Sequence, residues 1–107
     1  MAEIQLFSSK KELYNHLNDR GIITIQVEQS RYHMTRIGDN VFVFEPKCPH
    51  FDNSLANASI SPSAKITCMW HNYQFDLLTG QESQRRCRQL KTNQATWQPD
   101  GSLTVDL

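Results

Sequence analysis

The sequence predicts a small, mostly antiparallel β domain with one short helix, and three observations carry that prediction. The chain is 107 residues long, enough for one core. From Ile22 onward, β-branched and aromatic runs alternate with turn residues. Only one stretch, near the start, carries helix-capping chemistry. There Ser9-Lys10-Lys11-Glu12 has the capping-box spacing, Leu13 and Leu17 stand at i, i+4, and Gly21 is placed to stop the helix. Residues 22–27, 32–37 and 41–45 read as strands separated by Glu28-Gln29-Ser30 and Gly38-Asp39-Asn40. Residues 65–69 and 73–77 follow, then a terminal hairpin turning at Pro99-Asp100-Gly101. In its last strand Leu103, Val105 and Leu107 alternate with polar residues. Two polar, turn-rich segments, 46–63 and 78–88, are not explained by sheets alone. With no repeat, linker or low-complexity segment, residues 1–107 read as a single domain.

Composition removes several function classes. Eleven Lys+Arg balance eleven Asp+Glu, giving a net charge of zero and a pI of about 6.9. That balance lacks the basic footprint of a nucleic-acid or anionic-membrane binder. No apolar run approaches the roughly 20 residues that cross a bilayer. Met1-Ala2-Glu3-Ile4-Gln5 has neither the basic start nor the apolar stretch of a secretory signal, so a cytoplasmic protein is expected. Three cysteines, an odd number, argue for thiols or metal ligands rather than a disulfide framework.

The strongest signal is a pair of motifs: Cys48-Pro49-His50, a spacer of 17 residues (51–67), then Cys68-Met69-Trp70-His71. Each places a thiolate and an imidazole on a short loop beside a strand, so two loops can close on one site. Such tight spacings converge only where the backbone turns sharply. Pro49 restricts φ in the first loop, and Asn72, tolerant of left-handed conformation, is placed to turn the chain after the second. Two Cys and two His also suit a tetrahedral structural zinc, although zinc fingers usually pair Cys with Cys and His with His.

These motifs resemble those of the Rieske family, Cys-x-His and Cys-x-x-His across a spacer of about this length. The resemblance covers most of the chain beyond residue 20. It extends to Leu55, to Tyr73-Gln74-Phe75-Asp76 with Thr79-Gly80, and to Cys87-Arg88-Gln89-Leu90-Lys91-Thr92. It implies a Rieske-type fold: antiparallel sheets as a base and two loops, within about residues 46–78, as a small cluster-binding tip. It also implies that Cys48 and Cys68 bind one iron of a [2Fe–2S] cluster and His50 and His71 the other. Neutral imidazoles favour the iron that accepts the electron, which raises the potential relative to an all-thiolate cluster.

Departures from high-potential relatives carry information. Their extra disulfide-forming cysteines are replaced here by Asn53 and Trp70, and their hydroxyl donors to the sulfurs by Tyr73 and Phe75. Fewer donors stabilise the reduced cluster less, which implies a potential low in the Rieske range. Asp52 and Asn72 stand where many relatives have glycine.

Other residues have plainer readings. Cys87 reads as a small apolar side chain. His16 on the helix and His33 in a strand read as surface or satisfied structural histidines. Arg85, Arg86 and Arg88 read as a solvated basic loop, and Phe51, Trp70 and Tyr73 as shielding for the cluster or contacts for a partner.

The resemblance implies a monomeric one-electron carrier, a Rieske-type ferredoxin, passing electrons from a flavin reductase to a terminal oxygenase or similar acceptor, with no catalysis of its own. The alternative is a non-catalytic small subunit of a larger oxidoreductase such as nitrite reductase. A third class, an iron–sulfur sensor, finds no DNA-binding element in the sequence.

Overall fold

The computed structural model describes residues 3–49, 53–69 and 72–107. Their order is β1 (Glu3–Phe7), α1 (Lys10–His16), β2 (Ile22–Val27), β3 (Ser30–Ile37), β4 (Asn40–Phe44), β5 (Ser59–Ile60), β6 (Lys65–Thr67), β7 (Gln74–Asp76), β8 (Thr92–Gln94), β9 (Thr96–Trp97) and β10 (Leu103–Asp106). Three antiparallel sheets result, with strand orders β1-β10-β9, β2-β3-β4-β8 and β5-β6-β7. No helix among the described residues is long and apolar enough to cross a membrane.

β4 is the central partition. Because side chains alternate across a strand, Val41 and Val43 enter one core with Phe7, Leu13, Leu17, Met34, Leu103 and Val105. Phe42 and Phe44 enter the other, which contains Leu55, Ile66, Phe75, Leu90 and both Cys48 and Cys68. Both faces are buried, which explains the unbroken apolar run. Truncating a fully buried Phe costs about 3–5 kcal/mol, so Phe42 and Phe44 weld the third sheet and its loops onto the base.

Ser9 caps α1 as expected, its hydroxyl accepting from the Glu12 N–H at 3.2 Å. The return bond differs from a standard capping box, since the Glu12 carboxylate reaches Ser8 N–H and Oγ instead. The helix also stops well before Gly21. Leu17 is already extended at φ −141°, its side chain buried and its carbonyl accepting from Arg36 Nε at 2.6 Å. A tie to β3 ends this helix, not a glycine.

β2 matches its expected bounds, and the remaining expected strands agree to within three residues at either end. β1, β5 and β8 were not expected. Thr92-Asn93-Gln94 has weak strand character of its own, and is extended because it completes the open edge of β4, pairing with Phe44, Val43 and Phe42. The terminal hairpin forms as read, with Leu103 opposite Trp97.

Candidate metal centre

The two cysteine loops share one construction. β4 leads through Glu45, Pro46 and Lys47 into Cys48, whose N–H donates to the Asn53 carbonyl at 2.7 Å. A Lys47–Ser54 bridge and a 2.9 Å bond from Leu55 N–H to the Pro46 carbonyl extend the closure. β6 leads directly into Cys68, whose N–H donates to the Tyr73 carbonyl at 2.8 Å. In each case a cysteine amide closes on the carbonyl five residues ahead, leaving a four-residue tip, 49–52 or 69–72. Asn72 is left-handed at φ +54°, as its place in the turn requires.

Cys48 and Cys68 are 0 % and 1 % exposed and belong to the same apolar cluster. None of the three cysteines is in a disulfide. Thiolates sunk in such surroundings are costly unless a cation neutralises them, so this half of the donor set fits a thiolate-bound metal at the loop bases. His50 and His71, with Phe51, Asp52 and Trp70, lie outside the described residues. Among the described residues no three ligating side chains gather. Met69, beside Cys68, is 69 % exposed.

A single segment, 80–91, ties down both loops. Gly80 turns into it at φ +82°, and its carbonyl accepts from Leu90 N–H at 2.8 Å. A Cβ there would stand 2.1 Å from the Leu90 carbonyl oxygen, so only glycine permits this approach. Toward the first loop, Arg88 forks onto Glu45 with bonds of 2.7 and 2.8 Å, and Lys91 N–H adds a third at 2.6 Å. Burial pushes the Glu45 carboxyl up, but these donors outweigh it and hold the pKa below its ordinary value. Toward the second, Arg86 forks onto fully buried Glu82 with bonds of 2.9 and 3.1 Å. The Arg86 guanidinium, helped by Ser83 and main-chain N–H groups, holds Glu82 far below the usual carboxylate range.

The arginine run is therefore not simply a solvated loop. Arg86 and Arg88 are engaged, while Arg85, exposed and left-handed at φ +55°, fits that reading. Glu82 and Glu45 were missed. Glu82–Arg86 has a readable i, i+4 spacing, but Glu45 and Arg88 are 43 residues apart and give no local sign.

Tyr73 is half-buried, with Arg86 against its ring, and Phe75 is a fully buried core ring. Cys87 packs half-buried against the same core, and burial pushes its thiol pKa up. His16 is exposed, with Nδ1 on the Glu12 carbonyl. His33 departs from the satisfied reading: Nδ1 meets Thr24 Oγ1 at 3.1 Å, but buried Nε2 has no hydrogen-bond partner among the described residues, and burial lowers its pKa.

Comparisons with known proteins agree with this architecture. The chain is 18% identical to the ferredoxin of carbazole 1,9a-dioxygenase from Nocardioides aromaticivorans, with a TM-score of 0.75 over 98% of this chain and 97% of that one. A ferredoxin from Sphingomonas yanoikuyae gives 20% identity and a TM-score of 0.74, covering 99% of each chain. A candidate NADH-dependent nitrite reductase small subunit from Mycobacterium tuberculosis gives 14% identity and 0.76, covering 97% of this chain and 93% of that one. A comparison with curated proteins gave no match. The family model for the Rieske [2Fe-2S] domain matches residues 9–95, most of the chain including both cysteine loops, and the protein belongs to that family.

Proposed function

We propose that the protein is a one-electron carrier, a Rieske-type ferredoxin without a reaction of its own. Cys48 and Cys68 hold one iron of the family's [2Fe–2S] cluster, and His50 and His71 hold the other. The observation that carries the reading is the pair of matched loops, each presenting one buried, disulfide-free cysteine at its base. Held by these residues, the cluster would supply reversible one-electron chemistry. The protein's own part is to bury the thiolates, keep water from them through Phe44, Leu55, Ile66 and Phe75, and present the tip to a partner. Exposed Met69 beside Cys68 suits the small contact of a transient redox encounter, which typically buries less than about 1,200 Å². Thiols kept out of disulfides accord with a reducing, cytoplasmic setting.

The partners on this reading are a flavin reductase as donor and a terminal oxygenase or similar enzyme as acceptor. The likeness to a solved complex of oxygenase and ferredoxin in carbazole 1,9a-dioxygenase, at a TM-score of 0.72, supports it. The likeness to the nitrite reductase small subunit supports a second reading, a fixed subunit of a larger enzyme. Co-purification separates them: a monomer that accepts electrons from added reductase favours the carrier, and an obligate large partner the subunit. For the ligands, Cys68→Ser loses iron and inorganic sulfide while Cys87→Ser keeps both. Equal loss in the two variants overturns the assignment.

A further inference from the structure

The Glu82 carboxylate has both oxygens fully engaged. Oε1 accepts from Arg86 N–H at 2.8 Å and Arg86 Nε at 2.9 Å. Oε2 accepts from Ser83 Oγ and Gln84 N–H, each at 3.0 Å, and from Arg86 Nη2 at 3.1 Å. Turn 82–86 is itself fastened to β7, through a Phe75–Glu82 bridge and a 2.9 Å bond from Ser83 N–H to the Gln74 carbonyl. The guanidinium is thereby held in one orientation, and its face lies on the Tyr73 ring, with Cζ 3.7 Å from the ring centroid. Tyr73 is also the residue whose carbonyl closes the second loop on Cys68. Residue 73 is thus gripped twice, through its main chain by Cys68 and through its ring by Arg86.

Resting on the reading that Cys68 and His71 hold the cluster, we propose that Arg86 is a positioning residue for the second ligand loop. Locked by buried Glu82, it fixes the Tyr73 ring and so holds the closure of the Cys68 N–H on the Tyr73 carbonyl at the base of that loop. Only arginine can do both at once, because a planar guanidinium binds a carboxylate in its plane and stacks with its face. A lysine ammonium offers the charge without either geometry.

The test uses the cluster-loaded protein and three readouts: hydrogen exchange over residues 68–73, the rate of iron loss to a chelator, and the midpoint potential. Arg86→Lys and Tyr73→Leu each speed iron loss about tenfold, accelerate exchange over 68–73, and move the potential in the same direction. Exposed Arg85→Lys behaves as wild type. The double variant Arg86→Lys/Tyr73→Leu loses iron no faster than either single one, because both remove the same contact. Additive losses in the double variant, or unchanged exchange and potential in Arg86→Lys, overturn the proposal. Cys68→Ser is the control on the underlying reading: if it keeps its iron, the ligand assignment falls and the positioning role falls with it.

Discussion

The two cysteine loops are alike in the hydrogen bond that closes them and unlike in what braces them. Each closes a cysteine amide onto a carbonyl five residues ahead, and each is met by an arginine of segment 80–91 that also forks onto a glutamate: Arg88 pairs directly with Glu45 before the first loop, while Arg86, paired with Glu82 of its own segment, lies over the Tyr73 ring of the second. The first loop's pair lies at the surface, with the Arg88 side chain 51% exposed and that of Glu45 16% exposed. In the second pair the carboxylate is sunk, with the Glu82 side chain 0% exposed beneath an Arg86 side chain that is 35% exposed, and the guanidinium also lies over an aromatic ring. Similar hairpins therefore sit in different dielectric surroundings. A forked pair in water contributes little, whereas removing one partner from a buried pair leaves an uncompensated charge. The second loop is accordingly the more dependent on its brace.

The largest effect is expected from removing both braces together. Gly80→Ala places a Cβ against the Leu90 carbonyl at a positive φ, pulling the whole strap from its seat. A cost of about 3 kcal/mol is expected from backbone strain and overpacking, and a thermal or urea melt measures it. Next, Arg86→Ala lowers the melting temperature more than Arg88→Ala, whose surface pair is worth about 0.5–1 kcal/mol. Equal losses would mean that burial of Glu82 does not distinguish the loops.

Acid sharpens the same contrast. Both carboxylates have lowered folded pKa values, so each brace is at full strength above the ordinary glutamate pKa and is lost as pH falls through the folded value. Glu82 is depressed much further, so hydrogen exchange should rise around residues 45–48 at a higher pH than around 82–86. Simultaneous release would contradict the difference in environment. Beyond the braces, the wild-type midpoint is expected near the lower end of the Rieske range, about −150 mV. Phe75→Tyr should raise it in a redox titration if the new hydroxyl reaches a sulfur. The smallest effect concerns the base. Burial lowers the His33 pKa, so the unfolded chain binds a proton more readily, and stability declines as pH falls below the ordinary histidine value. His33→Gln should flatten that part of the pH–stability curve.

Much of this was legible in the chain because its causes are local. Alternation at Leu103, Val105 and Leu107 gave β10, the Ser9 hydroxyl gave the start of α1, and the paired motifs placed one cysteine at the base of each loop. Asn72 turns as its side-chain chemistry predicts. The end of α1 was misread, since Arg36 on β3 draws Leu17 out of the helix.

Strand alternation, a cap, a turn and the two short Cys/His motifs are each set within a few residues and can be read from the chain alone. Tertiary structure alone decided that Thr92-Asn93-Gln94 is a strand and that Arg88 meets Glu45 across 43 residues. It also turned a run of arginines into the brace for both loops. The physical reason is that a charged side chain has no role until the fold sets its dielectric and brings its partner within hydrogen-bond reach.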